Sequence, residues 1–286
     1  MLPDRFDVTL DPMGIRGQAE SRLRALQDVA LAALTAIKES PNAADTTLNA
    51  ADGVFLYLGE PRRMDEGLRL ETTTWICRSA LEDAFEILMD CCDESHRICF
   101  LAQMGPGPIA LQNSLDPTKG LKGFVEAVST ERSIIKVDRG KVEDRLKGLK
   151  DKYGVTFPWE QEIDSLRRAR NCLAHRLGIV HGEDCQDGKT LTIHLRKLAF
   201  TITTVDGKVV PLKTGPLGSP VPGAACLSMQ IVPTNYVFSV GDSIAVAAPM
   251  LSELLTTVLW TAIELTTSVA TYVQAKLAPP QDKTTA

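Results

Sequence analysis

The chain of 286 residues carries a formal net charge of −5 and is 44% hydrophobic, 23% charged and 5% aromatic. Those proportions exclude disordered, collagen-like and coiled-coil chains, and so few rings argue against a base-stacking platform or a carbohydrate-binding β-sandwich. With 31 basic against 36 acidic residues, the totals give no sign of a nucleic-acid partner. The seven cysteines are odd in number and lack a paired C-x-x-C spacing. They predict neither a disulfide framework nor a four-cysteine zinc site, and they place the chain in a reducing, cytoplasmic compartment. Asp and Arg residues between Met1 and Asp11 stand where a secretion signal has its apolar core, so no leader is expected.

Taken in chain order, Arg16 to Glu39 predicts a first helix, with Leu23, Leu26, Ala30, Ala33, Leu34 and Ile37 at helical spacing. Residues 53–71 are ambiguous. From Thr72 a long helix puts Ile76, Ala80, Ala84, Ile87, Leu88 and Cys91 on one face and Glu82, Asp83, Glu86, Asp90 and Asp93 on the other, and it continues to Gln103. The Gly-Pro-Gly-Pro run at 105–108 stops it. Residues 118–151 read as one or two further helices, the second highly charged. Another helix runs from Trp159 to Leu177, with Gly178 where a C-terminal glycine is expected. The period then changes to two: Leu191, Ile193 and Leu195 alternate, Phe200 and Ile202 follow, and Asp206-Gly207 marks a hairpin before Val209. A strand pair is expected at 226–232 and 236–240, after a Gly/Pro loop at 215–223. A closing helix of about seven turns starts at Pro249; Glu253 and Glu264 interrupt its apolar runs, which reads as a buried helix rather than a membrane anchor. The expected class is therefore mainly α: an antiparallel helical bundle in one domain, 1–286, with a β-rich insertion at 186–244 before the C-terminal helix.

The chemistry concentrates in the helix ending near Leu177. Ile163, Leu166, Leu173 and Leu177 form its apolar stripe, and Arg170 falls within it. Burying an unpaired charge is costly, so Arg170 must pair with a carboxylate, face a crevice or sit at a subunit interface. A structural ion pair to the acidic helix is one such outcome. Asn171 and His175 lie one turn apart on a neighbouring face.

The run Arg170-Asn171-Cys172-Leu173-Ala174-His175, leading into Gly178-Ile179-Val180, resembles the Arg-x4–6-His signature of the HEPN superfamily, in which a polar residue often follows the arginine. Arg168…His175 and Arg176…His181 fit the bare spacing as well. The resemblance implies a helical bundle, a two-fold homodimer with both histidines lining one cleft, and metal-independent RNA cleavage that leaves a 2′,3′-cyclic phosphate and a 5′-hydroxyl. On that footing Arg170, Asn171 and His175 are the catalytic candidates, with no cofactor and no metal. RNA is the substrate, and an antitoxin or regulatory protein is a possible partner in a toxin–antitoxin or antiviral defence system.

Local charge agrees with an RNA substrate. Residues 132–176 hold 12 basic and 7 acidic residues, a local +5 that leaves −10 for the rest; the plainer reading is a solvated helix laced with i,i+4 pairs. Two other readings of the chain stand beside the nuclease. One is a catalytically inactive HEPN-like bundle acting as a binding module. The other is a structural zinc site built from His175, His181, Cys185 and His194, whose spacing matches no common zinc motif.

Overall fold

A computed structural model describes residues 10–39, 65–103, 141–211, 224–244 and 246–278. Among them the chain is mainly helical, with a small antiparallel sheet ahead of the C-terminal helix. The elements are α1 (Pro12–Glu39), α2 (Glu66–Gln103), α3 (Val142–Tyr153), α4 (Glu160–Arg176), β1 (Thr190–Thr204), β2 (Val209–Pro211), β3 (Ala224–Ser239) and α5 (Ala248–Leu277). The chain divides into two compact units, one of Met1–Glu39, Ser79–Ile163 and Val258–Ala286, the other of Ser40–Arg78 and Asp164–Thr257.

In the first unit α1 begins four residues earlier than its apolar period suggests, because Asp11 caps it. The Gly14 N–H donates to Asp11 Oδ1 at 2.9 Å, and Pro12 takes the first helical position, where a missing N–H costs nothing. Its buried side is Ile15, Ala19, Leu23, Ala30 and Leu34, while Arg22 reaches Asp90 of α2 at 2.7 Å. The expected face of α2 is the buried one, and Asp83, Glu86 and Asp90 are exposed. Helix α3 buries Val142, Leu146, Leu149 and Tyr153 and ends at Gly154 in the left-handed region (φ 69°), where the glycine N–H returns to Lys150 O at 2.8 Å. The half-buried Arg145 pairs with Asp93 at 2.7 Å and donates to Met89 O, tying α3 to α2.

The second unit opens with the first turns of α2. Asp65 caps them through the Leu68 N–H at 2.7 Å, which resolves the ambiguous stretch before Thr72 from Glu66 onward. Its core gathers Leu166, Cys172 and Leu173 of α4, Leu191, Ile193 and Leu195 of β1, and Leu251, Leu254 and Leu255 of α5. The strand order is β2-β1-β3, antiparallel throughout, with a register irregularity at Thr203/Thr204. The expected hairpin is present, with Gly207 at φ 80° and its N–H on Thr204 O at 2.8 Å.

The expected strand pair at 226–232 and 236–240 is instead one strand. β3 runs unbroken through Pro233, opposite Arg196. An edge strand tolerates proline because its missing N–H faces away from the ladder. The closing helix α5 would pass for a membrane span on length and composition, yet buried side chains recur along it from Met250 to Val273. The segments 118–140 and 215–223 of the sequence reading lie outside the described residues.

Candidate functional site

Helix α4 is anchored along one side and open at its end. Ile163, Leu166, Ala169, Cys172 and Leu173 are almost wholly buried. The apolar stripe is thus core of a single copy at those positions, while Leu177, 79% exposed, and Ile179 lie at the surface. Glu160 and Glu162 in the first turn and His175 and Arg176 in the last suit the helix dipole. Termination follows from backbone geometry. Leu177 and Gly178 both turn left-handed (φ 52° and 81°), and the Gly178 N–H reaches back to Cys172 O at 3.2 Å. An added Cβ on Gly178 would meet Leu173 at 3.5 Å and Ile244 O at 3.6 Å, ordinary contacts, so the glycine serves its φ rather than close packing.

The three candidate residues come out at this end of α4. Arg170 is half-buried, and its Nη1 donates to Asn171 Oδ1 at 3.4 Å. Asn171 is half-buried one turn before His175, which is exposed. The guanidinium, the amide and the imidazole therefore follow one another along the last turns of a helix whose other side is fixed.

The competing arginines are engaged elsewhere. Arg168 Nε pairs with Asp164 Oδ2 at 3.0 Å, and Arg167 with Asp164 Oδ1 at 2.7 Å. Burial pushes the Asp164 carboxyl up, but the hydrogen bonds and charges of Arg167 and Arg168 hold it below its ordinary value. Arg176 Nη1 meets Asp184 Oδ1 at 2.6 Å and Nη2 meets Glu183. Asp184, 3% exposed, also accepts the His181 N–H at 2.9 Å, so its carboxylate bolts the turn after α4 to the helix. The Arg176…His181 spacing is thus the sequence trace of a turn. The Arg-x4–6-His pattern does not point to Asp184; the signal for it is its place three residues after His181, where a carboxylate caps a short helix.

The zinc reading does not survive the fold. Among the described residues no three His, Cys, Asp or Glu side chains converge to hold a metal. His175 ends α4, while His194 sits in β1 with its Nδ1 at 3.0 Å from Asn235 Oδ1. The buried Cys185 thiol donates to His181 O at 3.3 Å. Nor is Cys172 a nucleophile in waiting: burial, reinforced by the charge of Asp184, pushes its thiol up to about 12.

Much of the basic stretch 132–176 is paired. Besides the α4 arginines, Arg145 holds Asp93 and Lys150 holds Glu160 at 2.8 Å. Its first residues, 132–140, lie outside the described residues. No family model matches the chain, and neither does any curated protein or solved structure.

Proposed function

We propose that this chain is a metal-independent endoribonuclease of the HEPN type, built on an HEPN-like helical bundle and serving as a toxin or defence effector. The observation that carries the reading is the end of α4: an exposed His175 one turn beyond Asn171, whose side-chain oxygen takes the Arg170 guanidinium.

These groups suffice for RNA cleavage. The imidazole of His175 takes the proton of a ribose 2′-hydroxyl; histidine is the side chain whose titration near neutrality suits that exchange. The 2′-oxygen attacks the adjacent phosphorus, the bond to the 5′-oxygen breaks, and that oxygen leaves with a proton. The products are a 2′,3′-cyclic phosphate and a 5′-hydroxyl. The same histidine of a second copy supplies the leaving proton when the protein acts as a homodimer. Arg170 balances charge growing on the non-bridging oxygens, and Asn171 holds the guanidinium or the phosphate in place.

The test is cleavage of RNA in EDTA by the wild type and by Arg170→Ala, His175→Ala and Arg168→Ala. Cleavage survives chelation, falls roughly 10²–10⁴-fold in the first two variants, and persists in Arg168→Ala, whose guanidinium serves Asp164. Equal rates in wild type and His175→Ala would sink the reading. RNA binding without cleavage would leave the inactive binding module in its place.

A further inference from the structure

The sheet closes one long edge with side chains and, among the described residues, leaves the other open. Along β1 the groups pointing away from β3 are met one residue at a time. The Gln186 amide brackets Thr192, donating to its C=O at 2.9 Å and accepting its N–H at 3.1 Å. Ser165 Oγ does the same for His194, accepting at 2.9 Å and donating at 3.3 Å, and Thr257 Oγ1 accepts the Arg196 N–H at 2.9 Å. Backbone direction alternates along a ladder, so Leu198 and Phe200 also turn their N–H and C=O away from β3. Their partners Ile231 and Met229 must then point theirs outward, past the far edge of the sheet. Among the described residues nothing hydrogen-bonds the backbone of Met229 or Ile231 on that side.

Among the described residues this edge lacks the usual protection. Exposed edges are normally guarded by charged side chains, proline or a covering element. From Ala224 to Ser239 β3 carries no charged residue, and its one guard is Pro233. The face next to the edge is apolar too. Leu227, Met229 and Ile231 share a side with Leu198 and Phe200 of β1, and Leu227 and Met229 are 61% and 56% exposed. In the first half of β1 the core side chains are Leu191, Ile193 and Leu195, of the opposite parity, so this apolar patch faces the other side of the sheet.

We propose that β3 pairs antiparallel with β3 of a second copy, across a two-fold axis at Met229, so that Leu227 lies opposite Ile231 and the two sheets join. Two-fold pairing sets a strand against itself in reverse, with Met229 facing its own copy on the axis and Leu227 facing Ile231; because β3 carries no charge, no facing pair buries or opposes one. Pro233, with no N–H to give, ends the ladder just beyond Ile231 and confines the pairing to its N-terminal side. The joined strands extend the Leu198–Phe200 patch into one continuous apolar face. This inference is independent of the nuclease reading, since its readout is mass and involves no RNA.

The experiment is sedimentation of the intact chain as wild type, Met229→Lys, Met229→Glu and an equimolar mixture of the two variants, with circular dichroism to confirm that each is folded. Each variant alone sediments at half the wild-type mass, because like charges meet across the axis. The mixture recovers the wild-type mass, because Lys then faces Glu. A further contact between α4 ends would leave each variant associated through that contact alone, still smaller than the wild type and restored to its mass in the mixture. A single-copy wild type, variants of wild-type mass, or a mixture that stays at the variants' mass would each overturn the proposal.

Discussion

Asp164 and Asp184 do different work for the arginines around His175. Asp184 is buried and joins Arg176 to the His181 amide across a loop, whereas Asp164 is 41% exposed and gathers Arg167 and Arg168 from its own helix at i+3 and i+4. Burial raises the Asp164 carboxyl and the two arginines more than offset it, so its folded value lies below the ordinary 3.8. A depressed carboxylate contributes stability that is present in full above the unfolded value and is lost as the pH falls through the folded one. Asp164→Asn therefore lowers stability near neutrality and flattens its decline below about pH 4. Urea unfolding of both proteins from pH 2.5 to pH 7 checks this; parallel pH curves would show that Asp164 contributes nothing titratable.

At the scale of elements, α4 and α5 each lend a hydroxyl to the edge of β1. Ser165 is 1% exposed and Thr257 wholly buried, so neither strand N–H has water to turn to when its acceptor is removed. Ser165→Ala and Thr257→Val are each expected to cost about 1–3 kcal/mol, the penalty for an unsatisfied buried polar group. The midpoint of urea denaturation measures it, and a change under about 0.5 kcal/mol, the ordinary scale of surface substitutions, would mean the edge needs no cap. The element boundaries show how local rules work and where they stop. Asp11-Pro12 and Asp65 are start signals legible in the sequence, and each begins its helix earlier than the apolar period alone indicates. Pro233 is a strand breaker by the same local rules, and β3 passes through it because the ladder places it on the outside. Ile202 has the parity of the surface row, yet it is 5% exposed; the alternation that locates β1 does not say which face the rest of the protein covers.

Across the whole molecule the seven thiols are free and six are buried, Cys226 being the exposed one. Burial pushes the thiols of Cys77, Cys91 and Cys99 up to about 12, as it does that of Cys172, and raises Cys92 and Cys185 as well. The thiolate is the reactive form, so at pH 8 these six are both inaccessible and protonated. An aromatic disulfide reagent should titrate one thiol per chain promptly and all seven after unfolding. Prompt reaction of three or more would show that the buried cysteines open to solvent in the native protein.

The sequence by itself determined the bodies of α1 to α5, the hairpin at Asp206-Gly207, the glycine stop after α4 and the run from Arg170 to His175, because each depends on residues within a few turns of one another. The tertiary structure alone decided which arginines are taken up, since Asp184 becomes the partner of Arg176 only when the following loop folds back. It also decided that Ile163, Leu166 and Leu173 belong to the core of one copy, and that the His and Cys residues of the zinc reading do not converge on one point. Periodicity names the apolar face of an element; what covers that face depends on chain segments far away in sequence. The uncharged edge of β3, open among the described residues, arises the same way. Its composition is written in the sequence, but only the strand order β2-β1-β3 makes it an edge.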